Sequence, residues 1–111
     1  MFISGGENVC PEEIETYLQN IPGIVNAIVV PVKDVEFGAR PVAFVQVESS
    51  IFDEAEIRSH LADKLPRFKI PVRFFPWPEM DTEESLKYNR KEFVTIAEER
   101  IEDRASENFM A

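Results

Sequence analysis

Cysteine, glycine and positive charge are all scarce in this chain, with one Cys, four Gly and 12 Lys plus Arg among 111 residues. A single thiol, Cys10, closes no internal disulfide. That excludes a disulfide-stapled scaffold and points to a reducing, cytoplasmic setting. Against the few cations stand 21 Asp and Glu, a net charge of −9. Phosphate repels such a surface, which argues against nucleic acid or an anionic membrane as the main partner. No apolar run approaches the roughly 18 residues of a membrane span. Met1-Phe2-Ile3-Ser4 has neither the basic start nor the apolar stretch of a signal peptide. His60 is the one histidine, with no second ligand spaced to make a metal site with it. No nucleophilic triad and no Walker-type phosphate loop is visible.

What is present is material for a core. Hydrophobic residues make up 44% of the chain and include nine Phe, enough for one packed domain but not two. Gly5-Gly6 reads as a hairpin turn between Phe2–Ser4 and Glu7–Val9. Pro11 suits a first helical position, with Glu12 and Glu13 on the positive end of the helix dipole. Ile14, Tyr17, Leu18 and Ile21 recur at helical spacing, and Pro22-Gly23 ends that helix. Ile24–Val32 is apolar on both faces and predicts a central strand. A turn over Lys33–Arg40 then leads to an antiparallel partner over Pro41–Glu48.

Asp53 and Glu56 predict the start of a second helix carrying Ile57, Leu61 and Leu65, with Phe52 as a hydrophobic staple on Ile57. After a loop over Arg67–Pro71, Val72–Phe75 reads as a short edge strand limited by Pro76 and Pro78. Glu79–Ser85 is acidic and irregular. Asn89 and Glu92 cap a final helix with Phe93, Ile96, Ala97 and Ile101 on one stripe. The expected fold class is α/β (α+β): a small sheet of about three strands flanked by helices, plus an N-terminal β-hairpin.

Two stretches go beyond patterning. Lys87 lies in a polar segment before the last helix, close to Glu83 and Glu84, where a lysine is ordinarily a solvated surface charge. It gains meaning beside Ser4-Gly5-Gly6-Glu7-Asn8 followed by Pro11-Glu12-Glu13-Ile14-Glu15. Between them come Val29–Val32, Asp34 to Gly38, Pro41–Val45, Leu65-Pro66-Arg67-Phe68-Lys69-Ile70-Pro71, and then Leu86-Lys87-Tyr88-Asn89-Arg90-Lys91-Glu92-Phe93. In this order and spacing, the series resembles the C-terminal domain of the adenylate-forming superfamily. That superfamily contains acyl- and aryl-CoA synthetases, luciferases and peptide-synthetase adenylation domains, and Glu36–Ala43 resembles its acid–CoA ligase branch. Leu86 departs from the pattern, which usually has glycine there.

The resemblance implies that residues 1–104 are the mobile lid of an AMP-forming ligase, with 105–111 a disordered tail. The large N-terminal AMP-binding domain would be the lid's partner and lies outside this chain. It further implies ATP, coenzyme A and Mg2+ as cofactors, the metal held mainly by the N-terminal domain, and an aromatic or acyl carboxylate as substrate. Lys87 would be the adenylation lysine. Ser4, Gly5 and Gly6 would form the loop that shapes the coenzyme A tunnel, although a plain hairpin turn explains the two glycines equally well. Glu7 cannot hold the nucleotide end of coenzyme A, as arginine does near this position in some relatives. A free-standing, non-catalytic module acting through its acidic surface on a basic partner is the competing reading.

Overall fold

The computed structural model describes residues 1–48, 53–78 and 90–110. They fall into two units, Met1–Pro78 and Glu79–Ala111. The first begins with β1 (Phe2–Ser4) and β2 (Glu7–Val9), antiparallel with Ser4 opposite Glu7. That register leaves a two-residue turn, which matches strand twist only when both residues take positive φ. Gly5 and Gly6 do so, at 57° and 85°. Helix α1 (Pro11–Gln19) follows at once, with Pro11 in its first turn beside Glu12 and Glu13. Ile14, Leu18 and Ile21 are buried, whereas Tyr17 is 37% exposed and stands off the apolar stripe.

Strands β3 (Ile24–Asp34), β4 (Gly38–Val47) and β5 (Arg73–Pro76) form the main sheet in the order β3-β4-β5. The expectation of a central first strand is corrected: among the described residues β4 is central and β3 is an edge. Apolar residues on both faces of β3 report that the sheet's faces are covered, which is independent of hydrogen-bonding neighbours in the sheet plane. Pairing of β3 with β4 is antiparallel, as expected, and runs from Ile24↔Val47 to Asp34↔Gly38. The turn is therefore only 35–37, shorter than Lys33–Arg40. Asp34 Oδ1 accepts from the amides of Glu36 (2.9 Å) and Phe37 (2.8 Å), and Gly38 closes the turn at φ 81°. Strand β5 runs parallel to β4, reached through α2 (Glu54–Ala62), since parallel neighbours need a crossover.

One face of the sheet presents Ala27, Val29, Ala43, Val45 and Phe74, packed with Ile14 and Leu18 of α1 and Ile57 and Leu61 of α2. The other presents Ile28, Val30, Val42, Phe44 and Phe75, all buried, with the Phe44 and Phe75 rings 5.4 Å apart. Asp53 caps α2 by accepting from the Glu56 amide at 3.2 Å. A 3-10 turn, Arg67–Lys69, occupies part of the expected loop. Side chains on the helices meet the sheet's edges. Glu15 accepts from the Val29 amide on β3 at 2.7 Å, and Glu54 accepts from the Phe74 amide on β5 at 3.2 Å.

In the second unit, α3 (Arg90–Met110) carries Phe93 and Ala97 on one face, both buried. It continues through 105–110, the stretch expected to be a tail. No Gly or Pro interrupts it there, so helix propagates from the turns before. The proposed Phe52 staple, the Asn89 cap and the Glu79–Ser85 segment lie outside the described residues. No described helix is long and apolar enough to cross a membrane.

Core and cap contributions separate by size. Leu61→Ala, at a site 1% exposed, should lower unfolding free energy by about 2–5 kcal/mol. Loss of the α2 cap in Asp53→Ala should cost about 1 kcal/mol. Urea titrations compare the two, and a Leu61 effect no larger than the cap effect would contradict this packing.

Candidate functional site

The glycine turn meets the β3–β4 turn. The Gly5 amide donates to the Phe37 carbonyl at 2.9 Å, and a Cβ built on Gly5 would lie 2.6 Å from Phe37 Cδ1. Only glycine satisfies both the positive φ and this approach. Gly6 has open space around it and needs glycine only for its φ of 85°. Phe37 is held in place from behind, because the Asp34 carboxylate binds its amide and the Arg40 guanidinium lies 4.3 Å from its ring centroid.

Beside this junction lies a groove of about 450 Å³, walled by Ser4, Gly5 and Glu7 of the hairpin, Phe37, Arg40 and Pro41 of the β3–β4 region, and Arg67, Phe68, Ile70 and Val72. Ser4 is only 5% exposed. The far wall is staked at several points. Lys69 Nζ pairs with Glu13 of α1 at 2.9 Å, and the Val72 amide donates to the Pro41 carbonyl at 2.9 Å. Within the 3-10 turn, the Lys69 and Ile70 amides bond back to the Pro66 and Arg67 carbonyls. Arg40 and Arg67 form no ion pair among the described residues. A chain of net charge −9 thus places two guanidinium groups, neither in an ion pair among the described residues, on one groove whose lining also includes Glu7. Such a lining favours an anionic ligand bearing an apolar portion that can lie against Phe68, Ile70 and Val72.

Of the residues singled out in the sequence, Ser4 and Gly5 come together on the groove and Gly6 stands outside its lining. Lys87 and Leu86 lie outside the described residues. The far wall was missed as part of a site, although a signal exists. Lys64, Arg67, Lys69 and Arg73 follow one another with no acidic residue between them, in an otherwise acidic chain.

Residues 13–87 match the family model described as the AMP-binding enzyme C-terminal domain, and the chain belongs to that family. Among curated relatives, it is 40% identical over 104 residues to 2-succinylbenzoate–CoA ligase of Haemophilus influenzae, spanning 92% of this chain and 23% of that protein. Identity to the ligase of the same name from Salmonella typhimurium is 41% over 91 residues, 82% of this chain and 20% of the relative. The fold is similar to that of wild-type Escherichia coli MenE with a bound m-phenylether-linked analogue of OSB-AMS, at TM-score 0.75 and 35% identity over 88% of this chain and 20% of that one. A Mycobacterium tuberculosis fatty acyl CoA synthetase gives TM-score 0.75 at 27% identity, over 86% of this chain and 19% of that one. The chain therefore spans about a fifth of the length of the relatives it matches.

The Gly5 contact makes a direct test. Gly5→Ala should destabilise by roughly 2 kcal/mol and Gly6→Ala by roughly 1 kcal/mol, since only the first adds a clash to the φ strain. In a Phe37→Ala background the Gly5 penalty should fall to that of Gly6, as a double-mutant cycle by denaturation would record. An unchanged Gly5 penalty would mean the two turns do not touch.

Proposed function

We propose that this chain is the C-terminal lid of an ATP-dependent, AMP-forming acid–CoA ligase, with 2-succinylbenzoate as the acid and menaquinone biosynthesis as the setting. The observation that carries this is a glycine turn forming one wall of a groove lined by Arg40 and Arg67, in a chain belonging to the AMP-binding C-terminal family. Support for the particular acid comes from relatives named 2-succinylbenzoate–CoA ligase at 40% and 41% identity. The same reading assigns a cytoplasmic location and an N-terminal AMP-binding domain as the lid's partner.

The reaction has two halves. A substrate carboxylate oxygen attacks the α-phosphorus of ATP, forming the acyl-adenylate and expelling pyrophosphate. The coenzyme A thiol then attacks the acyl carbon, forming the thioester and releasing AMP. Lys87 serves the first half. Its ammonium group is compact and lies at the end of a flexible stem, suited to bridging carboxylate and phosphoryl oxygens where negative charge gathers. Ser4, Gly5 and Gly6 serve the second half, in which the lid backbone must come close to a narrow thiol-bearing arm. A side chain at Gly5 would intrude on Phe37 and on the groove together.

Coenzyme A carries phosphates at one end and a slender, largely uncharged arm at the other. The pairing of Arg40 and Arg67 with Phe68, Ile70 and Val72 suits that combination. Among the described residues no group of three or more His, Cys, Asp or Glu could hold a metal ion. Magnesium, which the family resemblance implies, is assigned mainly to the N-terminal domain and the nucleotide phosphates.

In the full-length protein, Lys87→Ala should slow pyrophosphate release by about 100- to 1,000-fold and spare thioester formation from preformed acyl-adenylate. Gly5→Leu should do the reverse. Equal loss of both half-reactions in each variant would refute this division of labour. Full-length protein that releases no pyrophosphate with 2-succinylbenzoate but does so with another acid would refute the substrate alone.

A further inference from the structure

The groove's far wall is held from outside by a residue that does not line it. Arg58 of α2 donates from Nη1 to the Pro71 carbonyl at 3.0 Å and from Nη2 to the Val72 carbonyl at 2.8 Å. Its guanidinium also lies 4.9 Å from the Phe74 ring centroid. One turn earlier, Glu54 accepts from the Phe74 amide at 3.2 Å and faces Arg58 at 3.7 Å. Together they grip three of the four residues 71–74, where the chain leaves the groove wall and enters β5.

Edge protection alone needs less than this. The Glu54 carboxylate already occupies the β5 edge at Phe74, and carbonyls left facing solvent can bond to water. Arg58 adds a planar fork across two successive carbonyls, and only guanidinium makes that grip while stacking on a ring. Those carbonyls belong to Pro71 and to Val72, which itself lines the groove two residues after Ile70. Holding them fixes the backbone that carries Val72 into the groove lining.

We propose that Arg58, supported by Glu54, is a positioning residue that sets the Arg67–Val72 wall for coenzyme A, acting from α2 without touching the ligand. The inference rests on the ligase reading above and adds a specific residue to it. A loosened wall weakens capture of coenzyme A in the second half-reaction and leaves adenylation, assigned above to Lys87, unchanged.

The test uses the full-length protein with Arg58→Met, which keeps the stem and its packing on Phe74, and Arg58→Lys, which keeps the charge but not the fork. Both should raise the KM for coenzyme A roughly fivefold, the scale of one lost hydrogen bond. The rate of pyrophosphate release should be unchanged, and Lys should do no better than partial rescue. Amide hydrogen exchange of Lys69 and Ile70 should quicken in both variants, while that of Leu61 on α2 should not. If Arg58→Met fails to fold, Arg58→Lys alone decides. Quickened exchange with an unchanged KM for coenzyme A would overturn the role in ligand capture, and unchanged exchange at Lys69 and Ile70 would overturn positioning itself. A wild-type protein whose turnover ignores coenzyme A would instead overturn the ligase reading, and the claim on coenzyme A with it.

Discussion

A three-stranded sheet has two edges for only one interior strand, and each edge carries backbone donors and acceptors that invite a foreign strand. The helices of this chain answer that exposure with side chains as well as with bulk. On β3 the Glu15 carboxylate takes the Val29 amide, and on β5 Glu54 and Arg58 take the Phe74 amide and the Pro71 and Val72 carbonyls. Helices α1 and α2 therefore each contribute twice, through an apolar stripe against one sheet face and through charged side chains directed at the sheet's edges. Without the sheet the hairpin would have nothing to lean on, since two short strands alone are marginal in water.

The groove follows from that arrangement. Asp34 tightens the β3–β4 turn until Phe37 stands where the Gly5 amide can reach its carbonyl. The β1–β2 hairpin thereby becomes one wall, and the 3-10 turn before β5 becomes the other. A turn in one place and a strand edge in another, far apart in sequence, share responsibility for one surface. The acidic balance of the chain makes the same surface stand out, because Arg40 and Arg67 are drawn from only 12 cations.

Much of this was legible beforehand. Pro11 with its acidic neighbours marked α1, Asp53 with Glu56 marked α2, and the short turn over Lys33–Arg40 marked β4 as the antiparallel partner of the strand before it, because each depends on chemistry within a few residues. Gly5-Gly6 was legible as a turn for the same reason. The place of β3 at an edge was not, since coverage of its two faces says nothing of its neighbours in the sheet plane. Tyr17 misled because helical spacing identifies a candidate face but not its width. Arg58 gave no sign at all: an arginine at the middle of a polar helix looks solvated until the carbonyls it grips are brought to it.

Local physics, then, was settled by the order of residues alone: where helices start, where the chain turns, which positions are too apolar to stay in water, and the motif series that carries the family resemblance. Those properties arise from contacts among residues close in the chain. Which strand became the interior one, the parallel arrival of β5, and the meeting of Gly5 with Phe37 and of Arg58 with Pro71 and Val72 were decided by tertiary structure. They join partners 13 or more residues apart, and such pairings are selected only when the whole sheet has its faces and edges covered at once.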